Sequence, residues 1–347
     1  LGFLMLTPLQ NAAQITQTVA VFPATSFCVE MGANTGDPIG VIDDLALDDV
    51  YQLASGQRPK ELRLTARADG QLLIAGNSDT GSAGAHLHLD CLITLMPDVG
   101  ANVDGIVMVE VDNAGMIAAV YLLPLAPLEP QLGYTLVRKT RDGARRRLAQ
   151  LACVSFTRGT QITLANGTLR PIEELQVGDR VLTRDDGAQR VRWIGQTTTR
   201  AIGDLAPVLI RAGVHGNERD LLLSPDHRLL VHNRRDLHRL GRADHLVRAR
   251  DLVNGGDVTV QSGGFVDYFQ LLFDRHHIIF AEGIAAESLL LDPLTRAALP
   301  DDHMAHSPGL LMGHQRVASG LDIRPVAAER SAQTSQLPSQ LRRAMMR

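Results

Sequence analysis

Ser155–Thr183 reads SFTRGTQITLANGTLRPIEELQVGDRVLT, and the reading of this stretch decides the fold. Two short aliphatic and β-branched runs, Gln161–Leu164 and Arg180–Thr183, are set apart by turn chemistry at Asn166-Gly167 and Gly178-Asp179. Asn-Gly between such runs favours a hairpin, because both residues tolerate the positive φ that tight hairpin turns need. Runs this short, with turns this frequent, fit strands better than helices. Glu173-Glu174 and Asp185-Asp186 read as solvated turn residues, not as acid/base pairs.

The same rhythm continues outward. Downstream, strands are expected at Val191–Ile194, Val208–Arg211, Asp220–Leu223, Leu229–Val231, Val258–Val260, Tyr268–Phe273 and Ile278–Ala281. Upstream, Val19–Phe22, Leu62–Thr65, Leu72–Ala75, Leu87–Leu95, Gly105–Val111 and Ala118–Leu123 are broken by turns such as Asp69-Gly70 and Asn113-Ala114-Gly115. Between the two regions Arg138–Leu151 carries six basic residues with no interleaved aromatics, which predicts a short helix or linker with a solvated face. After Asp292-Pro293 the chain turns polar and proline-punctuated, which predicts a mobile tail. The expected class is mainly β: an N-terminal β domain over 1–137, a basic linker over 138–152, an all-β domain over 153–292 and a tail over 293–347.

Bulk properties narrow the function. A chain of 347 residues with 45% hydrophobic content exceeds what one core usually holds. Its formal charge of −4 points to no nucleic-acid partner, and no apolar run reaches the length of a membrane span. The opening Leu1–Leu6 lacks a basic n-region and a long apolar core, so no signal peptide is expected. Cys28, Cys91 and Cys153 form no CxxC spacing, which argues against a disulfide framework or a zinc site. His86 and His88 alternate with leucines before Asp90, but no further ligand stands at a fitting spacing, so they read as structural.

Gly159-Thr160 stand four and five residues after Ser155, followed by Ile172-Glu173-Glu174-Leu175 and by Gly178-Asp179 ahead of a strand. This run resembles the opening of a Hedgehog/intein (Hint) domain. Ser224-Pro225-Asp226-His227 resembles that family's Thr-x-x-His block, and Tyr268–His276 with Ala281-Glu282-Gly283 and Ala286-Glu287-Ser288 resembles the closing block of a bacterial subgroup. Together the three blocks cover about 140 residues in the right order.

The resemblance implies an all-β self-processing domain without metal or organic cofactor. Its substrate is its own N-terminal segment, and water or another nucleophile is the acyl acceptor. Ser155 takes the nucleophile position, with Val154 as acyl donor; Ser224 and His227 match the block whose His protonates the scissile nitrogen. Asp274 matches a residue that bears a proton or orients His276, with His277 as an alternative to His276 because the register there is open by one. Most relatives have Cys where Ser155 stands, so Cys153 is an alternative nucleophile. The only His-Asn pair, His232-Asn233, lies mid-domain, so full splicing is not expected; cleavage at the Val154–Ser155 junction is. The tail lacks an apolar recognition segment, so no sterol transfer is expected. The rival reading is a non-catalytic secreted or surface protein that retains the scaffold for binding. Secretion itself is expected by resemblance only.

Overall fold

The computed structural model describes residues 16–67, 69–232, 244–299 and 314. Nine strands form the upstream sheet: β1 (Thr16–Pro23), β2 (Phe27–Met31), β3 (Val50–Leu53), β4 (Lys60–Ala66), β5 (Leu72–Ile74), β6 (His86–Pro97), β7 (Val103–Val111), β8 (Ile117–Pro124) and β9 (Gly133–Thr140). Their order is β2-β3-β9-β6-β5-β4-β1-β8-β7, and a further β6–β7 pairing closes six of them into a ring. Closure removes the exposed edges that an open sheet would offer. Alternation along β1 and β4 sends Val19, Val21, Leu62 and Leu64 into one core with Leu87, Met108 and Tyr121.

The basic stretch holds the short helix that was one of its two expected forms, although its first residues belong to a strand. Arg138–Thr140 finish β9, and Ala144–Ala152 form helix α1, which buries Ala144, Leu148 and Ala149. Helical spacing puts those apolar positions on one face and leaves Arg145 and Arg146 exposed.

Downstream, β10 (Phe156–Thr157) opens a second set of sheets. It is followed by β11 (Gln161–Thr163), β12 (Leu169–Pro171), β13 (Arg180–Leu182), β14 (Ala188–Arg190), β15 (Trp193–Arg200), β16 (Val208–Ile210), β17 (Leu221–Leu223) and β18 (Arg228–His232). Then come β19 (Asp244–Arg248), helix α2 (Ala249–Leu252), β20 (Val258–Val260), β21 (Phe265–Leu272), β22 (Ile278–Ala281) and β23 (Ile284–Glu287). One sheet runs β15-β21-β10-β17-β16-β20 and another β12-β11-β22-β23-β18-β19, with β13 and β14 as a separate hairpin. Their inner faces share one core that includes Phe156, Ile162, Val208, Leu223, Phe269 and Ala286. Gly159 (φ +87°) and Gly167 (φ +81°) occupy left-handed turns that only glycine takes without strain.

The residues expected to open the tail are ordered against the rest of the chain. Residues 293–299 pack on the fold, with a 3-10 turn at Thr295–Ala298; Leu294 joins the upstream core and Leu299 a cluster around Cys153. Asp292 explains the order, because its Oδ1 accepts the N–H groups of Leu294 (2.8 Å) and Thr295 (2.7 Å). Beyond Leu299 the expected tail lies outside the described residues except for His314. No helix among the described residues is long and apolar enough to cross a membrane.

Candidate active site

Strand register builds the site. Phe156 pairs with Leu223 of β17 on one side and with Phe269 of β21 on the other. One residue back along β10, Ser155 therefore meets Ser224 and Gln270. Ser155 is 2% exposed, its N–H donates to Ser224 Oγ (3.0 Å), and Gln270 Nε2 donates to Ser155 Oγ (2.7 Å). The hydroxyl's other neighbour is the Cys153 carbonyl at 3.5 Å. Ser224 N–H closes the pair by donating to Ser155 O (2.9 Å).

The turn Ser224–His227 carries the imidazole. His227 is fully buried, its ring lies 4.3 Å from that of Phe156, and its backbone N–H donates to Ser224 O (3.0 Å). Asp226 ties this turn to its neighbours, accepting from Arg250 at 2.7 Å and facing Arg248 at 3.5 Å. Nδ1 of His227 faces Ser155 O and Nε2 faces Glu287 O, each at 3.0 Å. The β18–β23 pairing of Leu229 with Ala286 brings Glu287 to that place. Two carbonyls ask for two ring N–H donors, which only the imidazolium has. Burial opposes this and prevails over both carbonyls and the Glu287 carboxylate, so the ring's pKa lies below its ordinary value.

The late block assembles differently from the expectation. Asp274 is exposed and forms a bidentate pair with Arg192 (2.9 and 2.7 Å), so it neither orients His276 nor reaches Ser155. Glu287, not Asp274, faces His276, with 3.3 Å between Oε2 and Nε2. Burial alone would raise the Glu287 carboxyl, but His276, Arg228 and His227 outweigh it and hold it below its ordinary range. His277 pairs with Asp186 (3.2 Å) and donates its backbone N–H to Ser288 Oγ (2.9 Å). Both histidines are therefore partnered away from Ser155. The turn acids also have jobs: besides Asp186, Glu173 accepts the Gly159 N–H at 2.8 Å.

Cys153 sits in an apolar cluster with Leu272, Leu289, Leu291 and Leu299. Burial, with a contribution from Asp292, pushes its thiol far up, so thiolate is scarce. His314, assigned no role from sequence, is buried and bridges Leu291 N–H (3.3 Å) to Phe273 O (2.8 Å).

The polar contact to Ser155 that sequence reasoning missed is Gln270. Its signal was a lone amide in the apolar run Tyr268–Phe273. Its reach depends on Gly195, the facing residue of β15. A Cβ at Gly195 would collide with the Gln270 amide oxygen and the Trp193 ring. Gly195→Val is expected to keep the strand, which suits β-branched residues, while moving Gln270 off Ser155. If Ser155 cuts the chain, the rate should fall on the order of 10²-fold from misplacement alone. Timed mass spectrometry reads the rate and a thermal melt checks the fold; an unchanged rate removes Gln270 from the site.

Beside Ser155 lies a cleft of about 30 Å³, lined among others by Ser224, Gln270, Tyr268, Arg147 and Asp226. That space admits a water.

Residues 154–293, starting one residue before Ser155, match the family model described as Hint domain. The chain carries a Hint domain. No curated protein matches the chain significantly. Among solved structures, this Hint domain is similar to the Ssp DnaB mini-intein variant M86 at 11% identity and a TM-score of 0.28, covering 40% of this chain and 97% of that one. It is also similar to the MchDnaB-1 intein (14%, TM-score 0.26, covering 38% and 98%) and the gp41-1 intein (12%, TM-score 0.25, covering 38% and 97%).

The Hint domain's buried histidines set its acid stability. Burial lowers the pKa of His227, His277 and His314 from 6.5. A depressed folded pKa means that the unfolded state takes up protons first as pH falls. The neutral-histidine contribution is thus complete above the unfolded pKa and is lost as pH falls from there through the folded values. Glu287, lowered from 4.5, has the same sign further down the scale. The thermal midpoint is expected to be flat from about pH 8 to about pH 7 and to drop toward about pH 5. A midpoint that climbs over that range contradicts the assignment.

Proposed function

We propose that the Hint domain cuts its own chain at Val154–Ser155 by an N-to-O acyl shift. Ser155 Oγ attacks the Val154 carbonyl carbon, a C–O bond forms, and the C–N bond to Ser155 breaks. The proton lost from Ser155 Oγ passes, through water in the adjacent cleft, to the departing nitrogen, which becomes the α-amine of Ser155. Water, or another nucleophile, then attacks the ester carbon, freeing the Val154 carboxylate and restoring the Ser155 hydroxyl.

One observation carries this reading: a buried serine whose hydroxyl and amide are each held by a separate side chain, Gln270 and Ser224. In the resting amide the Ser155 N–H donates to Ser224 Oγ. As the nitrogen pyramidalises it gains a lone pair, and the same contact can reverse so that the Ser224 hydroxyl donates. His227 holds the Ser155 carbonyl and fixes the residue against rotation. An ester lies uphill of an amide, so the second step, attack on the ester carbon, must draw the reaction forward. The domain ends in Ala286-Glu287-Ser288-Leu289 without a His-Asn pair, so the reading stops at a single cut.

A second reading, a scaffold that does not cut, is favoured by the surroundings of Ser155 Oγ. It faces an amide donor and a carbonyl, and an unactivated hydroxyl is a weak nucleophile. Mass spectrometry of the full chain after incubation with and without hydroxylamine separates the two. A fragment ending at Val154 supports cutting, and an intact chain under both conditions supports the scaffold.

A further inference from the structure

We infer that cutting at Val154–Ser155 does not release the upstream part: the two fragments stay docked as one noncovalent protein. This rests on the cleavage reading above and concerns what the reaction leaves behind. Three apolar contacts span the junction. Helix α1, just upstream, buries Ala144 and Leu148 in a core that also takes Leu294 from beyond the last Hint strand. Cys153, also upstream, packs among Leu272, Leu289, Leu291 and Leu299, all downstream.

The third contact lies apart from the cut. Ile202 packs against the upstream core that contains Ala126 and Leu128. Next to it the backbones nearly touch: a Cβ on Gly203 (φ +54°) would stand 3.2 Å from Pro127 Cδ and 3.4 Å from Ala126 Cα. Close packing of this kind, dominated by aliphatic side chains, is the character of a permanent interface, not a transient one. Hydrolysis removes one covalent bond and none of these contacts. The new Val154 carboxylate and Ser155 ammonium form side by side, with Ser155 at a cleft that admits a water. The partner of the downstream fragment is therefore the chain's own upstream fragment.

The test reads cutting and association in one sample. Full-length chain treated with hydroxylamine is analysed by denaturing and by native mass spectrometry at about 0.1 μM, a dilution that separates weak complexes. The expected result is two masses under denaturing conditions and a single summed mass under native ones. Separate fragments under native conditions overturn the inference and leave the cleavage reading standing. If denaturing analysis finds no cut, the cleavage reading fails, and docking is tested by co-expressing tagged 1–154 with 155–347. Joint elution in equal amounts supports docking, and any other elution overturns it. In the cut protein, Leu294→Ala should speed fragment dissociation by about tenfold or more through the lost side chain. No change in dissociation counts against the inference as well.

Discussion

Ser155→Ala is expected to leave only intact chain under conditions in which the unaltered protein yields a fragment ending at Val154. The loss should be complete, because the substitution removes the attacking atom. Cys153 cannot take over: its thiol is enclosed by Leu272, Leu289, Leu291 and Leu299 and its pKa is pushed far up. Cys153→Ala is therefore expected to cost some packing and leave the cut unchanged. Ser155→Cys should do the reverse of Ser155→Ala. A thiol forms thiolate near neutrality far more readily than a hydroxyl ionises, so the cut should become faster and responsive to added thiols. Timed mass spectrometry on the three variants checks this. A fragment that survives Ser155→Ala but vanishes in Cys153→Ala reverses the assignment of the nucleophile.

The strands that alternation reveals were open to reading from sequence, and those fixed by distant partners were not. Leu87–Leu95 alternates, Val19–Phe22 and Ile278–Ala281 are short apolar runs, and each lies within an observed strand. β12 and β14 are three residues each, exposed in part, and exist because hairpin neighbours hold them. The charge of Arg138–Leu151 predicts a helix or linker from its first residue, yet Arg138 and Lys139 join a strand because β6 supplies their ladder through Thr94 and Ile93. Asp292-Pro293 predicts the start of the tail, yet the Asp292 carboxylate accepts two backbone N–H groups and folds the next residues into a turn.

The site divides along the same line. Ser155, Ser224 and His227 came from short motifs and meet in space. Asp274 and His276 came from a motif too, yet their partners are Arg192 and Glu287, since an exposed carboxylate beside a guanidinium has no reason to turn inward. Gln270 and Gly195 belong to the site through a cross-strand register that no local pattern encodes. What decides membership is which side chains face Ser155 once β10 lies between β17 and β21.

His227→Ala carries the other large expected effect, on rate and on stability in different ways. Glu287 O loses a ring nitrogen at 3.0 Å, a loss of about 1–3 kcal/mol, while Ser155 O loses one at the same distance but keeps the Ser224 N–H at 2.9 Å. The thermal midpoint should fall accordingly. The cut should slow by about 10²-fold from misplacement of Ser155, and by up to about 10⁴-fold if the ring also supplies the proton. His227→Gln restores one donor and should recover more of the stability than of the rate. The pH profile separates chemistry from structure. With a pKa held below 6.5 by burial, His227 is mostly neutral near neutrality, so a reaction needing the imidazolium accelerates as pH falls. The same protonation weakens the fold, so the acceleration must be followed below the melting range at each pH. Unaltered chain should cut faster at about pH 6 than at about pH 8, and His227→Gln should lose that slope. If the variant keeps the slope, the proton that matters rides on another group, and His227 serves only to hold the Ser155 carbonyl in place.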